Sequence, residues 1–288
     1  MNKTLLEVEN LNIVFKGAHQ DHHAVRDVSF CVGREKLAIV GESGSGKSQT
    51  CRALLKLTPK AGRISADKMQ FGDIDLLNSS EKAMRRVRGN RISMILQDPK
   101  FSLNPLMRIG DQIIEAYRLH SRVSKTEARN RARMMLESVH IRDVDNVFRL
   151  YPHEISGGMG QRVMIAMMLI PEPDLIIADE PTSALDVTVR QQVLSILDEL
   201  LARRNTGLLF ITHDINLVSR FCDRVLVMYA GRIVEEISAR DLHQARHPYT
   251  QALLASQPRL RHPVETLSVP TRDSAWLHGP TYRNGVAL

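Results

Sequence analysis

Two stretches of this chain have the pattern of a phosphate cradle, and one fold must accommodate both. The first is Gly41-Glu42-Ser43-Gly44-Ser45-Gly46-Lys47-Ser48, which fits G-x-x-x-x-G-K-[ST] in full. It follows Lys36-Leu37-Ala38-Ile39-Val40, a short apolar run that reads as a buried strand, and a helix is expected to open near Ser48. Glycines let such a loop turn its N–H groups inward toward phosphate oxygens. The helix start adds positive partial charge, Lys47 adds a full one, and Ser48 offers a hydroxyl to magnesium. The pattern constrains the fold because it works only between a strand and a helix of an α/β sheet.

Three further strand ends carry polar residues. Leu175-Ile176-Ile177-Ala178-Asp179-Glu180 is an apolar strand ending in two carboxylates. In open α/β sheets ligands bind beyond the strand ends, so Asp179 is placed to hold magnesium and Glu180 to orient or deprotonate an attacking water. Gln97 closes Ile92–Leu96, where a neutral amide can touch both metal and water. His213 closes Leu208–Thr212. Phosphoryl transfer depends on position and charge more than on covalent chemistry, and these are the residue types it needs.

The second cradle is Ser156-Gly157-Gly158, ahead of an apolar helix from Val163 to Ile170 that Pro171 stops. A serine N-cap with two glycines makes an anion site, or else an ordinary helix cap. Because the first loop already serves this chain's own triphosphate, a second site points to a nucleotide presented by another molecule. The order of motifs thus describes an ATPase whose active site closes between two chains.

With these residues in view, the chain resembles an ATP-binding cassette (ABC) subunit of a bacterial importer over roughly residues 5 to 256. Ser156-Gly157-Gly158 matches the family's signature motif, with Ile155 and Met159 at the flanking positions usually held by Leu and Gln. The resemblance places Gln97 in the Q-loop, Ser183-Ala184-Leu185-Asp186 in the D-loop, His213 as the switch histidine and Phe15 as the aromatic ring on adenine. It implies ATP and Mg2+ as ligands. The implied fold is the ABC nucleotide-binding domain: α/β, with a P-loop RecA-like core, an antiparallel β subdomain and a helical signature-motif subdomain. Gln97-Asp98-Pro99, Ser102-Leu103-Asn104-Pro105 and His247-Pro248-Tyr249-Thr250 are similar to the peptide/nickel importer branch. That branch implies two membrane-spanning permease subunits, a second and related ATPase subunit (or a homodimer partner) and a separate solute-binding protein. Peptide, nickel and metal–chelator import stay open at this point, as does an ABC ATPase acting on nucleic acid or ribosomes.

The remaining features set bounds. The ATPase domain is expected over residues 1–257, with its helical subdomain at about 98–160. Leu6–Glu9 and Lys68–Phe71 alternate as antiparallel strands do. Ile109, Ile113, Ile114 and Tyr117 mark one helix face. Ser124-Lys125-Thr126-Glu127 is a capping box for a helix burying Ala128, Ala132 and Met135, and a long helix from Thr188 to Arg204 turns Val193, Ile196, Leu197 and Leu200 inward.

Residues 258–288, broken by Pro258, Pro263, Pro270 and Pro280 and holding the single tryptophan, Trp276, read as a poorly ordered tail. His19, His22 and His23 read as an exposed hairpin loop, with metal binding as the alternative. The formal charge is +7, but the arginine-dense stretch from Arg118 to Arg133 has one aromatic neighbour, Tyr117, so no nucleic acid is expected as a partner. Glu7 and Glu9 interrupt the early apolar residues, no run is long enough to span a bilayer, and the three cysteines suit a reducing compartment. The expected location is peripheral, on the cytoplasmic face of the inner (plasma) membrane, reached through partners.

Overall fold

The computed structural model describes residues 4–17, 20–99, 102–183, 185–256, 273–277, 279–283 and 286–287. Its contacts divide the chain into two compact units, Met1–Ser79 with Leu209–Leu288, and Ser80–Leu208.

The first unit opens with β1 (Leu6–Phe15), β2 (His22–Val32) and β3 (Lys36–Val40), then α1 (Lys47–Leu54), β4 (Gly62–Ser65), β5 (Lys68–Phe71) and β6 (Ile74–Asp75). β1 pairs antiparallel with β2, β4 and β5, and β5 with β6. The alternation foreseen at Leu6–Glu9 is real: Leu6, Val8, Leu11 and Ile13 are buried along one face of β1. His22 and His23 are corrected from a loop to the first residues of β2, where both stay exposed and Phe15 pairs with His22. His19 lies outside the described residues.

The second unit runs α2 (Glu81–Val87), β7 (Ile92–Ile95), α3 (Ile109–His120), α4 (Lys125–Ser138), α5 (Val144–Val147), α6 (Gly157–Leu169), β8 (Leu175–Asp179) and α7 (Val187–Arg204). β7 and β8 are parallel neighbours, with Ile95 opposite Ala178. Ser124 caps α4 by accepting the Glu127 N–H, and Ala128, Ala132 and Met135 are buried as their spacing requires. α7 buries Val193, Ile196, Leu197 and Leu200 and ends at Asn205, a left-handed cap that glycine or asparagine adopts at low cost. Buried Ile109, Ile113 and Ile114 form the inner stripe of α3.

The chain returns to the first unit along β9 (Gly207–Thr212), followed by α8 (Ile215–Phe221), β10 (Arg224–Tyr229), β11 (Arg232–Ser238), α9 (Pro248–Ala255), β12 (Tyr282–Arg283) and β13 (Val286–Ala287). β3 pairs parallel with β10 and also borders β9. Both faces of this sheet are covered, which is why Leu37, Ala38, Ile39, Val40, Val225, Leu226 and Val227 form near-continuous apolar runs. Arg224 joins Glu35 and Glu236, each at 2.6 Å, and Arg283 of β12 reaches Glu236 at 2.9 Å. Pro258, Pro263 and Pro270 of the stretch read as a tail lie outside the described residues. The described part pairs β12 with β11 and sets the Trp276 ring 5.5 Å from that of Tyr229.

Candidate functional site

Within the first unit, β3 ends at Val40 and α1 begins at Lys47, so the six residues between them form the loop. Gly41 has no room for a side chain, because a Cβ there would stand 2.1 Å from the Met228 carbonyl oxygen. Gly46, at φ 103°, caps α1 with a backbone that other residues rarely adopt, and its own Cβ would fall 2.4 Å from the Ala24 oxygen. Gly44, also left-handed, has nothing within 4 Å of its missing Cβ and leaves the crest of the loop open.

Lys47 is buried, and its Nζ donates to the carbonyl oxygens of Gly41 (2.8 Å) and Glu42 (2.7 Å). Its charge is therefore held inside the loop's own curve. Ser43, Gly44 and Ser45 line a cavity of about 200 Å³ together with His23, Tyr229 and Ala230. An open crest, a buried ammonium and a helix start fit a phosphate chain. Ser48 is half-buried in the first turn of α1, and His213 is exposed just past β9. Phe15, half-buried at the end of β1, packs its ring over Gly62 of β4.

Within the second unit, Asp179 is buried at the end of β8 and Glu180 follows it half-buried, at φ 47°. A non-glycine residue in that region carries strain, and such outliers gather at working sites. β8 therefore ends at Asp179, one residue short of the stretch read as a strand, and Glu180 lies just beyond it. Gln97 is exposed two residues beyond β7.

Ser156 is the N-cap of α6, and its Oγ accepts the Met159 N–H at 3.3 Å. α6 begins at Gly157, earlier than its apolar residues indicate. Ser156 and Gly157 are exposed; a Cβ on Gly157 would meet nothing within 4 Å, whereas one on Gly158 would lie 2.7 Å from a Val189 methyl. Asp186 caps α7 by accepting the Val189 N–H at 2.9 Å; Ala184 of the same loop lies outside the described residues.

Each unit thus gathers its own share of the foreseen residues. The first holds Phe15, Gly41 to Ser48 and His213; the second holds Gln97, Ser156 to Gly158, Asp179 and Glu180. Two residues carry bonds that their motifs did not assign. Gln161 is buried in α6 and donates its side-chain amide to the Pro181 carbonyl oxygen, tying the signature helix to the segment just after Glu180. Tyr249 accepts the Glu42 N–H at 3.0 Å. A buried glutamine one turn into an apolar helix was the available signal for the first. For the second it was the His247-Pro248 helix start.

A strand, a glycine-rich loop and a helix start holding a buried lysine define a P-loop nucleotide-binding α/β protein. The chain belongs to the ABC transporter family: the profile described as ABC transporter matches residues 25–183. It is 48% identical to the oligopeptide transport ATP-binding protein OppD of Salmonella typhimurium, over 92% of this chain and 80% of that protein. It is 44% identical to the glutathione import ATP-binding protein GsiA of Escherichia coli, over 98% of this chain and 48% of that protein. Among solved structures it is similar to the dimeric bacterial ABC transporter cassette MJ0796, with a TM-score of 0.72 and 26% identity over 82% of this chain and 99% of that one. The cbiO1 subunit from Clostridium perfringens aligns with a TM-score of 0.71 and 25% identity over 85% of this chain and 92% of that one. The fold is that of an ABC ATPase cassette, and the chain is an ABC-type ATPase.

Proposed function

We propose that this chain hydrolyses ATP to power import of peptides or related small solutes through a membrane ABC transporter. The observation that carries this reading is the 48% identity over 92% of the chain to an oligopeptide transport ATP-binding protein. Lys47 and the amides of Gly41, Ser43, Gly44, Ser45 and Gly46 hold the phosphates, and Phe15 stacks on adenine. Ser48, Gln97 and Asp179 are the residues that would hold Mg2+, which neutralises charge on the transferring phosphoryl group. Glu180 orients and deprotonates the attacking water, and His213 steadies the γ-phosphate side. The exposed pair Ser156 and Gly157, with Gly158, completes the site of a facing chain.

No helix among the described residues is long and apolar enough to cross a membrane. By likeness to importer ATP-binding subunits, the reading puts the chain at the cytoplasmic face of the inner membrane, on two permease subunits. A second, related ATPase faces it, and a separate solute-binding protein delivers cargo.

Two measurements test this. Glu180→Gln is expected to bind ATP and lose at least about 100-fold in turnover, the scale of losing a general base; normal turnover overturns the assigned role. Mass spectrometry of proteins copurifying from detergent-solubilised membranes is expected to recover two multi-span proteins and a second P-loop ATPase. Recovery only with ribosomal proteins or nucleic acid overturns the transporter reading and leaves the ATPase intact.

A further inference from the structure

In sequence, His247-Pro248-Tyr249-Thr250 carries weight only through its likeness to the peptide/nickel importer branch. In the structure it is a built support. Glu235 is fully buried, and its carboxylate accepts the N–H groups of Arg246 (2.8 Å) and His247 (3.3 Å) ahead of α9. The His247 ring then caps α9 by accepting the Tyr249 N–H on Nδ1 at 3.1 Å. Pro248 takes the first helical position, where its missing N–H costs nothing. These contacts fix the start of a helix whose second residue, Tyr249, is completely buried.

The Tyr249 hydroxyl accepts the N–H of Glu42 at 3.0 Å. That N–H and the Gly41 carbonyl belong to one planar peptide group, and the carbonyl oxygen accepts from Lys47 Nζ at 2.8 Å. The Gly41–Glu42 peptide is therefore pinned on opposite sides, by the tyrosine on one and by the lysine on the other. It cannot turn without breaking both bonds, and hydrogen bonds joined through an amide polarise each other. The far side of the loop is held separately, by the Gly231 N–H on the Ser45 oxygen at 3.0 Å. The Tyr249 ring lies 4.6 Å from that of Tyr229 and 5.8 Å from that of Trp276.

We propose that Tyr249 is a positioning residue of the phosphate loop: its hydroxyl fixes the peptide from which Lys47 is aimed, and its ring passes the state of the loop to Trp276. This rests on the reading of the loop as the ATP site. Phosphate oxygens compete with the Gly41 carbonyl for the Lys47 ammonium, so binding changes the load on the peptide that Tyr249 grips. Without the hydroxyl, the Glu42 N–H loses this bond and the peptide is held from the Lys47 side, while the ring still fills its place.

The test uses the full chain, unmodified and as Tyr249→Phe. A methylanthraniloyl-ATP titration gives Kd and the number of sites, and Trp276, the only tryptophan, is followed separately as unlabelled ATP is added. Losing one net hydrogen bond corresponds to roughly a five-fold weakening. The expected result is that rise in Kd with the number of sites unchanged, and a smaller response of Trp276 emission to ATP. An unchanged Kd overturns the proposal. So does a reduced number of sites at the original Kd, since that is what a merely structural tyrosine produces by lowering the folded fraction. If Tyr249→Phe does not fold, the unmodified chain decides: Trp276 emission that responds to saturating ATP supports the coupling, and silent emission overturns it. A chain that binds no ATP at all overturns the nucleotide reading itself, an outcome distinct from equal binding by the two proteins.

Discussion

The side-chain amide of Gln161 donates to the carbonyl oxygen of Pro181, so α6 and the segment that follows Glu180 share one buried bond. α6 starts at the signature motif, and Pro181 is the next residue after the proposed water-activating carboxylate. The bond ties the start of α6 directly to the segment that carries that carboxylate.

Gln161→Ala leaves the Pro181 oxygen without that donor in a buried place. The expected loss of stability is about 1–3 kcal/mol, the scale of an orphaned buried acceptor. Turnover is expected to fall further than the unfolded fraction explains, because Glu180 loses its brace. Urea unfolding and ATP hydrolysis on the same preparation check both.

Gly157→Ala separates the fold from the partner. No atom lies within 4 Å of the added methyl, and alanine suits a helix better than glycine by up to about 1 kcal/mol. Stability is expected to hold or rise. Turnover in the assembled transporter is expected to drop at least about ten-fold, equivalent to ~1.4 kcal/mol of barrier, if a facing nucleotide approaches this backbone. Gly158→Ala is a poor substitute, since its methyl meets Val189 inside the chain.

Burial holds the His247 imidazole below its ordinary pKa; Arg232 acts in the same direction and Glu235 against it. The unfolded chain thus binds a proton more readily, and stability rises with pH between the folded and unfolded values. This contribution is fully present above about pH 6.5, the unfolded value, and is lost as pH falls through the lower folded value. Protonation also blocks the Nδ1 acceptor that caps α9. Urea midpoints from pH 8 to pH 5 are expected to fall less in His247→Asn, which can still cap and does not titrate.

The three cysteines differ in reach. Cys31 is exposed, Cys51 is fully buried, and burial pushes the Cys222 thiol up to about 12. A thiol reagent at pH 8 is expected to label Cys31 in the folded chain and all three after unfolding in urea. Peptide mapping of the labelled sites is the check.

Much of this was legible because it is local. Lys36–Val40 is a strand with the bounds its apolar run indicates; Asp179 closes β8, His213 directly follows β9 and Gln97 stands two residues past β7, because the apolar runs stop there. Caps at Ser124 and Ser156 are also written in neighbouring residues. What stayed hidden is long-range and polar. Tyr249 lies 207 positions from Glu42, and no periodicity records such a bond. His22 and His23 were misread because polar residues at the exposed start of a strand look like a loop. The foreseen capping residues were found with their bonds, while the brace at Gln161 faces a carbonyl twenty residues on, beyond the reach of a pattern.

Glu180 occupies a backbone conformation that glycine or asparagine would adopt at lower cost. A search that ranks sequences by foldability alone will discard this carboxylate early and call the result an improvement. On the role proposed for Glu180, the protein that emerges is expected to be sturdier and inert. At this one turn, holding shape and performing that proposed work ask for different side chains.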